Sequence, residues 1–433
     1  MKKAAFYTLG CKVNRYETEA MSELFLKSGY EICDFDSYAD IYVINTCTVT
    51  SMSDRKSRQI IRRAKKTNPG AIVAVTGCYA QTAPEDVKKI DGVNIVVGTK
   101  DRKNIVTLVE QAQSDSCINA VSDIMHTHSF EELSVETYHG RTRAYIKIQE
   151  GCSQFCSYCI IPYARGPIRS RPFNEVIDEI KRLAAGGFSE IILTGIHVAS
   201  YGLDLANGES LPALINAADK TEGIKRIRLS SIEPMTLNGD FIKKIKPCEK
   251  LCHHFHISLQ SGCDKTLSRM NRKYTCKQFE EITDGLRKNY PDAAITTDIM
   301  VGFPGETDEE FAETVEFVKR ISFADAHIFQ YSPRKGTPAA SFPNQVPPET
   351  KEKRSKIIAE ITSESSLKFK QRFIDSTAEV LFEHRCHDKR GYYEGKTGNY
   401  LTVTAASGED ISGKFAKVKL QKITKDGIEG IIV

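Results

Sequence analysis

Long apolar segments are missing from this sequence, and their absence restricts where the protein can work. No apolar run approaches the roughly 20 residues that a membrane-spanning helix requires. The stretch from Met1 to Cys11 contains no long apolar core of the kind that a signal peptide needs. We therefore expect a cytoplasmic protein with no membrane partner.

A strong charge imbalance is missing too. The 60 basic residues stand against 56 acidic ones, which gives a net charge of +4. This balance permits a nucleic-acid partner but does not require one. Repeats and low-complexity tracts are not visible, and 40% apolar with 27% charged residues is ordinary for a globular protein. The 433 residues predict about three domains.

Cysteine, by contrast, is plentiful, with 13 residues. In a reducing compartment such residues bind metal or serve catalysis more often than they form disulfides. Two triplets stand out, the first compact and the second scattered: Cys152, Cys156 and Cys159; Cys11, Cys47 and Cys78. Three thiolates can bind three irons of a [4Fe–4S] cluster and leave the fourth open for a substrate or cofactor. Two triplets therefore predict an enzyme with two working clusters.

Strand-like and helix-like segments alternate through the first 135 residues, which predicts a parallel sheet. The predicted strands cover residues 4–9, 41–45, 72–76 and 93–97, and the predicted helices cover 16–28, 54–67 and 84–90. Cys11, Cys47 and Cys78 each follow one of these strands. Ligands bind beyond the carboxyl ends of such strands, which lie about 4.8 Å apart, so we expect the three thiols to converge. Three unrelated buried cysteines are the alternative.

The rest of the chain divides into two further patterns. A polar stretch, 113–142, is interpreted as a linker. Strand candidates at 144–149, 190–194, 226–230, 255–259, 295–301 and 326–331 then alternate with helices such as 173–185, 276–289 and 308–320. This alternation predicts a (βα)6 partial barrel with its site at the carboxyl ends of the strands. After a long charged helix, 349–373, short strand candidates at 377–383, 391–396, 400–404, 415–423 and 428–433 predict a small antiparallel barrel.

The compact triplet has the spacing Cys-x3-Cys-x2-Cys on the loop after the first barrel strand. This spacing differs from the paired Cys-x2-Cys of structural zinc, although a zinc or disulfide loop is the alternative. Tyr158 is placed to lie against a flat ligand. Cys152, Cys156 and Cys159 with an aromatic residue at 158 resemble the signature of the radical S-adenosylmethionine (SAM) superfamily. The resemblance implies that the open iron binds SAM and that its reductive cleavage gives a 5′-deoxyadenosyl radical.

The two triplets and the two predicted barrels together resemble the methylthiotransferases over nearly the whole chain. The matching segments are 9–14 (LGCKVN), 45–47 (NTC), 76–78 (TGC) and 151–166 (GCSQFCSYCIIPYARG). The resemblance implies three domains: 1–135, which holds an auxiliary [4Fe–4S] cluster on Cys11, Cys47 and Cys78; 138–370, the radical SAM domain with the other [4Fe–4S] cluster; and 371–433, an RNA-binding TRAM barrel.

Barrel segments that match this family imply the SAM contacts. Residues 193–196 (LTGI) resemble the segment that contacts the SAM amino group, and 298–306 resemble the strand that contacts adenine and ribose. Polar residues of 228–234 and 256–262 should face the cavity, among them Ser230. The implied cofactor-binding residues are Tyr158, Thr194, Gly195, Glu233, Ser258, Gln260, Asp298 and Val301. Barrel core or turn positions are the alternative for each one.

The first cysteine motif favours one branch of the family. Residues 8–19 (TLGCKVNRYETE) resemble the branch that adds a methylthio group to C2 of N6-threonylcarbamoyladenosine beside the tRNA anticodon. The other branches act on N6-isopentenyladenosine of tRNA and on an aspartate of a ribosomal protein. A threonylcarbamoyl group carries a carboxylate, so its pocket needs a cation or hydrogen-bond donors. Arg15, close to Cys11, is the candidate, with a plain surface arginine as the alternative.

Basic residues indicate where RNA would bind. The segment 55–66 is rich in Lys and Arg, and Arg58 and Arg62 share one side of its predicted helix. Such a stripe can contact phosphates, although a solvated helix face is the alternative. Arg169 and Arg171 are further candidates for the substrate site. We expect the anticodon stem-loop of tRNA, SAM and a reducing protein such as a flavodoxin or ferredoxin as partners.

Two different kinds of protein remain as alternatives. An RNA-binding iron–sulfur sensor without turnover would not cleave SAM. A zinc-stabilised RNA-binding protein would contain zinc, with neither iron nor acid-labile sulfide.

Overall fold

A computed structural model of the chain describes residues 1–113, 116–135, 142–206 and 208–433. Within these ranges, none of the helices is both long enough and apolar enough to cross a membrane. The predicted domain boundary at residue 138 lies outside the described residues.

The N-terminal domain is a parallel sheet covered by helices. In the described part of the chain, its strands run in the order β2-β1-β3-β4-β5-β6. They are β1 (Lys3–Thr8), β2 (Glu31–Cys33), β3 (Ile41–Thr46), β4 (Ile72–Gly77), β5 (Ile95–Val97) and β6 (Ile118–Ala120). The helices are α1 (Lys12–Lys27), α2 (Ser51–Thr67), α3 (Cys78–Thr82), α4 (Pro84–Lys88) and α5 (Ile105–Gln111). Every residue of β3 is buried, as expected for a central parallel strand with both faces covered.

The strand β6 corrects the interpretation of 113–142 as a linker throughout. Its residues pair in parallel with β5 at the edge of the sheet. β6 has only three residues and none of them is fully buried. A segment this short shows no usable hydrophobic period, so its sequence carries little strand signal.

The central domain is an open barrel of parallel strands, as predicted. Its strands are β7 (Arg143–Glu150), β8 (Arg169–Ser170), β9 (Glu190–Gly195), β10 (Arg226–Leu229), β11 (His254–Gln260), β12 (Ala294–Val301) and β13 (Asp325–Gln330). Its helices are α6 (Ile161–Arg165), α7 (Phe173–Ala185), α8 (Leu211–Asp219), α9 (Gly239–Ile245), α10 (Asp264–Arg269), α11 (Cys276–Asn289), α12 (Asp308–Ile321) and α13 (Pro348–Gln371). Short 3-10 helices lie at Arg102–Asn104, Val198–Ser200, Pro234–Thr236 and Pro338–Ser341.

The barrel strands follow one another in chain order. β7, β9 and β10 form one parallel sheet, and β11, β12 and β13 form another. Parallel bridges from Ile227 to Leu251 and from Ile232 to Ile257 join the two. The short strand β8 pairs antiparallel with the end of β7. This arrangement agrees with the predicted (βα)6 partial barrel and brings the carboxyl ends of the strands to one face.

The C-terminal residues form a closed barrel in the order β14-β15-β16-β18-β17 within the described chain. These strands are β14 (Thr377–Arg385), β15 (Tyr392–Thr397), β16 (Thr402–Ala406), β17 (Phe415–Ile423) and β18 (Ile428–Ile432). All neighbours are antiparallel except β16 and β18. A closed ring with an odd number of strands cannot alternate direction throughout, so one parallel pair is required. Because α13 ends at Gln371, we propose that the third domain begins there.

A buried arginine fastens this small barrel to the central one. The Arg228 guanidinium donates to the backbone carbonyls of Thr397 (3.2 Å) and Gly398 (3.1 Å) and to Glu190 (3.0 Å). The ring of Tyr400 stacks on His254 with centroids 4.5 Å apart, and Arg228 lies 4.6 Å from the same ring. One loop of the C-terminal barrel is therefore held against the central domain by hydrogen bonds and ring contacts.

We predict that Arg228→Leu lowers the unfolding free energy by roughly 3 kcal/mol, because Glu190 and two carbonyls lose a buried partner. The urea midpoint of unfolding measures the change. Lys181→Met is the control, since Lys181 forms an exposed ion pair with Asp178 on α7, and such pairs contribute less than about 1 kcal/mol. Equal midpoints for the two variants would contradict the role assigned to Arg228.

Candidate active site: two cysteine triplets at a domain interface

The scattered cysteines lie at one edge of the N-terminal sheet. Cys11 lies between β1 and α1, Cys47 follows β3, and Cys78 begins α3 directly after β4. β1, β3 and β4 are neighbours in the sheet, so the three residues meet at its carboxyl edge. Cys47 and Cys78 are buried, whereas Cys11 is exposed to solvent at the mouth of the group. The arrangement is the one expected from the sequence.

Glycines allow these loops to approach closely. Gly10 has φ +108°, and a Cβ there would lie 2.9 Å from the Cβ and 3.2 Å from the Sγ of Cys47. Gly77 has φ +95°, and a Cβ there would lie 2.4 Å from Oδ1 of Asn45 and 2.5 Å from the carbonyl oxygen of Thr46. The separations of 2.4, 2.5 and 2.9 Å are shorter than real Cβ contacts, and 3.2 Å is tighter than most of them. The residue before Cys11 and the residue before Cys78 therefore have no room for a side chain.

Two asparagines connect the cysteine loops. The Asn14 amide nitrogen donates to the carbonyls of Leu9 (2.7 Å) and Thr46 (3.0 Å), which precede the first two cysteines. The Asn45 amide nitrogen donates to the carbonyl of Asn14 (2.9 Å). Asn14 and Asn45 are both buried. Both asparagines stand in the matching cysteine motifs, but their sequence alone predicted no role for them. The available signal was their spacing, since Asn14 lies three residues after Cys11 and Asn45 lies two residues before Cys47.

The surroundings of Cys47 and Cys11 oppose the ionisation of their thiols unless a cation is present. Burial raises the pKa of Cys47 to about 11, and the nearby charges of Cys78 and Cys11 add to this rise. Desolvation by the protein atoms packed around the thiol also raises the pKa of Cys11, although part of this residue reaches solvent and the positive charge of Arg165 works against the rise. A bound iron cluster would hold such thiols as thiolates, because coordination deprotonates a thiol. The donor set therefore fits a cluster.

The compact triplet follows β7 on a loop fixed by backbone hydrogen bonds. The N–H of Cys152 donates to the carbonyl of Gly166 (3.0 Å), and the N–H of Ser157 donates to that of Met270 (3.0 Å). Burial raises the pKa of Cys152 to about 11 and that of Cys159 to about 12, and the charge of Cys156 adds to both. This triplet also offers three grouped thiols that a cluster would stabilise as thiolates.

An arginine links the compact triplet to the predicted SAM site. Arg272 donates from Nη1 to Sγ of Cys156 (3.2 Å) and from Nη2 to Glu233 (2.7 Å). It also donates to the backbone carbonyl of Ser258 (3.3 Å). Burial raises the pKa of Glu233 even though Arg272 opposes the shift. Two predicted SAM residues, Glu233 and Ser258, are thus joined to the triplet through one guanidinium.

The other predicted SAM residues lie at or near the carboxyl ends of barrel strands. Thr194 and Gly195 end β9, Gln260 ends β11, and Asp298 and Val301 lie on β12. The carboxylate of Asp298 is 3.2 Å from Nε2 of His256. The half-buried Tyr158 packs edge-on against Phe303, with ring centroids 6.5 Å apart. Its ring therefore borders the residues that follow β12.

Two residues near these strand ends have buried polar atoms without a protein partner in the described chain. The unpaired atoms are the two ring nitrogens of His197 and the hydroxyl oxygen of Ser230. Burial, with Arg272 nearby, lowers the pKa of His197 to about 4, so its imidazole is neutral near pH 7. Unpaired buried polar atoms indicate a missing ligand, so these atoms fit a SAM molecule bound here. Sequence reasoning missed His197, although it directly follows the matching segment 193–196.

A buried ionic network connects the two triplets across the domain interface. Glu17, on α1, accepts hydrogen bonds from Arg165 and forms ion pairs with Arg102 and Lys147. Arg102 also pairs with Glu131 and Glu150, and Glu150 pairs with Lys147 and Arg169. All seven side chains are buried. Burial alone would raise the pKa of Glu17, but Arg102, Arg165 and Lys147 outweigh it and lower that pKa well below its ordinary value.

The predicted substrate-binding arginines lie in different environments. Arg15 and Arg62 are exposed, on α1 and α2. Arg58 is half-buried, and its Nη1 lies 3.2 Å from the hydroxyl of Tyr79. Arg169 and Arg171 are buried and form ion pairs with Glu150 and Glu179. The structure therefore brings Arg58 towards the cysteine loops and leaves Arg169 and Arg171 in the interior.

A cavity of about 640 Å³ opens beside loops that carry cysteines of both triplets. Thr48, Tyr79 and Ile160, which are the neighbours of Cys47, Cys78 and Cys159, lie in its wall. Arg58 and Arg334 also line it, together with acidic residues such as Asp54. Loops of both domains therefore share one opening at the cysteine sites.

Neither triplet forms a site for a single metal ion. In the described ranges, no three His, Cys, Asp or Glu side chains are close enough together to bind one ion. This finding is compatible with a [4Fe–4S] cluster, because each cysteine of a cluster binds a different iron and the sulfurs need not converge on one point.

The chain resembles known proteins along its whole length. Residues 146–318 match the radical SAM superfamily, and residues 3–98 match a family described as Uncharacterized protein family UPF0004. A Bacillus subtilis (strain 168) protein, named threonylcarbamoyladenosine tRNA methylthiotransferase MtaB, is 44% identical over 98% of this chain and 94% of its own. The chain belongs to the radical SAM methylthiotransferase family.

Other members of the methylthiotransferase family support this assignment. The Aquifex aeolicus protein of the same name is 38% identical over 96% of this chain and 99% of its own. A Clostridium tetani protein named tRNA-2-methylthio-N(6)-dimethylallyladenosine synthase is 35% identical over 99% of this chain and 96% of its own. These relatives confirm the membership of the methylthiotransferase family that the cysteine motifs predict.

A solved structure supports the fold of the central region. The radical SAM methyltransferase TsrM from Kitasatospora setae aligns with a TM-score of 0.57 over 78% of this chain and 77% of its own, at 16% identity. This similarity concerns the fold alone. It agrees with the predicted radical SAM fold.

We predict that Gly77→Ala loses roughly half of the bound iron, because the new Cβ would separate the loops of Cys47 and Cys78 while the compact triplet stays intact. Iron and acid-labile sulfide are measured after anaerobic reconstitution. Gly29→Ala is the matched control, since Gly29 has φ +83° but open space around its Cβ position. Full iron content in Gly77→Ala would contradict the geometry.

Proposed function

We propose that this protein is a radical SAM methylthiotransferase that adds a methylthio group to C2 of N6-threonylcarbamoyladenosine beside the tRNA anticodon. The observation that carries the proposal is that two domains place their cysteine triplets on loops that border one cavity, whose wall contains the neighbours of Cys47, Cys78 and Cys159. The sensor and zinc alternatives have no comparable support. The 44% identity to a protein named for this reaction supports the choice of substrate.

Cys152, Cys156 and Cys159 would hold one [4Fe–4S] cluster, and Cys11, Cys47 and Cys78 would hold the other. When bound, the clusters and SAM supply the radical chemistry and the sulfur, which no protein side chain can provide. The contribution of the chain is to bind and orient these groups and to exclude water. Glu233, Ser258 and the neutral His197 would provide hydrogen-bonding partners for SAM next to Cys156.

The threonylcarbamoyl carboxylate requires a cation or hydrogen-bond donors at the mouth of the site. Arg15 is exposed one helical turn after Cys11, which supports its proposed contact with that carboxylate. Arg169 and Arg171 are not part of this proposal, because Glu150 and Glu179 already neutralise them in the interior. They would instead stabilise the loop after the compact triplet.

RNA would approach along α2. Its exposed Arg62 and its half-buried Arg58 lie on one side of the helix, and Arg58 lines the cavity. The anticodon stem-loop can then contact α2 while the modified base enters the cavity. The C-terminal barrel has the TRAM arrangement and would bind RNA as well. A flavodoxin or ferredoxin would deliver electrons, and the cytoplasm is the compartment that fits these partners.

The proposal is tested by mass spectrometry of tRNA nucleosides. Reconstituted protein is incubated without oxygen with SAM, a reductant, sulfide and threonylcarbamoylated tRNA. A methylthio product confirms both the reaction and the substrate. Cleavage of SAM with unmodified tRNA would mean that the target is wrong, and dimethylallylated tRNA and the ribosomal protein would be assayed next. Absence of any SAM cleavage would refute the enzyme assignment.

We predict that Cys11→Ala abolishes methylthiolation while part of the SAM cleavage remains, because the compact triplet is unchanged. The methylthio nucleoside and 5′-deoxyadenosine are quantified in the same reaction. Cys33→Ala is the control, since Cys33 lies on β2 outside both triplets. Loss of both products in Cys11→Ala would show that the two sites do not act separately.

We predict that Arg62→Ala weakens tRNA binding several-fold and reduces the slope of log affinity against log salt by about 1, as expected for one lost phosphate contact. Fluorescence anisotropy at several salt concentrations measures both quantities. Lys56→Ala is the control, because Lys56 is exposed on the same helix and lies about 120° around its axis from Arg62. Equal effects of the two substitutions would favour a merely solvated helix.

A further inference from the structure

The guanidinium of Arg165 connects the segment after the compact triplet to a cysteine of the scattered triplet. Arg165 ends α6, six residues after Cys159 of the compact triplet. Its Nε donates to Sγ of Cys78, a member of the scattered triplet, at 3.2 Å. A five-residue helix is about 7.5 Å long, so α6 connects one cysteine site to the other over a short and rigid path.

The position of this guanidinium is fixed by its remaining contacts. Nη1 and Nη2 donate to the two carboxylate oxygens of Glu17, and Nη2 also donates to Oδ1 of Asn14 (2.6 Å). Arg165 is fully buried. A planar guanidinium can serve all three partners at once, whereas the point charge of a lysine cannot. The arginine is therefore held in the orientation that aims Nε at the sulfur.

The other triplet repeats this arrangement. Arg272 is also deeply buried, pairs with one carboxylate, Glu233, and donates to one cysteine sulfur, Cys156, at 3.2 Å. Two arginines from different parts of the chain thus each pair with one carboxylate and donate to one cysteine sulfur. The recurrence shows that the arginine–sulfur contact is not a local accident of α6.

We propose that Arg165 is a positioning residue that tunes the auxiliary cluster: it hydrogen-bonds the Cys78 thiolate and makes the reduction potential of that cluster less negative. The inference rests on the proposed function in one respect, that Cys78 is a cluster ligand. Reduction adds negative charge to a cluster, and a hydrogen bond to a ligand sulfur stabilises that charge. The auxiliary cluster would then be easier to reduce than it is without Arg165.

The test compares Arg165→Met with Arg169→Met in the full-length protein. Both changes remove one buried cation from the same network, but only Arg165 contacts a cysteine sulfur; Arg169 pairs with Glu150 at 3.1 Å. The midpoint potential of the auxiliary cluster is measured by redox titration with electron paramagnetic resonance. A background with alanine at 152, 156 and 159 assigns the signal to the auxiliary cluster.

The expected result is a more negative midpoint in Arg165→Met and a clearly smaller shift in Arg169→Met. Equal shifts, or no shift in Arg165→Met at full iron content, would overturn the proposal. If Arg165→Met does not retain auxiliary iron, Arg165→Lys is measured, since it keeps the charge but not the three contacts. A more negative midpoint is expected there, and an unchanged midpoint would overturn the proposal.

The midpoint potential tests the role of Arg165 separately from the proposed function. Iron content and potential are measured without tRNA and without turnover. A wild-type protein with one cluster would refute the two-cluster function before any arginine variant is examined. The wild-type protein could instead hold two clusters and still not modify threonylcarbamoylated tRNA. In that case the same redox titration still tests the effect of Arg165 on the potential.

Discussion

The buried charge network around Glu17 is the constraint on which the rest of the active region depends. Transfer of ions from water into a protein interior is costly, and the loss is recovered only when each charge has partners with good geometry. Glu17 belongs to the N-terminal domain, whereas Lys147 and Arg165 belong to the central one. A shift of either domain would leave several buried charges unpaired. The network therefore specifies one relative placement of the two cysteine sites.

Local patterns allowed most of the fold and the cysteine sites to be predicted. Apolar runs and turn residues indicated the strands, and α7 and α11 have the predicted bounds because β–α alternation and caps such as the Thr275–Gln278 capping box are local signals. Non-local pairing was not predictable. Glu17 and Arg165 are 148 positions apart, and neither residue alone shows that it is buried. For the same reason, Arg169 and Arg171 were interpreted as substrate contacts although they are internal ion pairs.

The two cysteine sites have similar chemistry but different construction. The scattered triplet depends on three neighbouring strands and on the asparagines that connect their loops, so its geometry is a property of the whole N-terminal sheet. The compact triplet is carried by one loop, and contacts such as Ser157 to Met270 hold it. The scattered site is therefore more sensitive to changes at distant positions. His197, which follows β9, could be interpreted only after the barrel had placed it beside Arg272.

The proposed RNA surface on α2 and the candidate cluster ligand Cys47 are joined by one short loop. That loop must therefore be held in place when RNA binds. α2, the proposed RNA surface, begins four residues after Cys47. A tRNA that pulled on α2 would displace Cys47 unless the intervening loop were fixed. Arg334, which follows β13, provides that restraint: its Nη2 lies 2.6 Å from both Thr48 Oγ1 and Asp54 Oδ2. Arg334 thus connects the start of α2 to the central barrel, which would keep Cys47 in place when RNA binds on α2 as proposed.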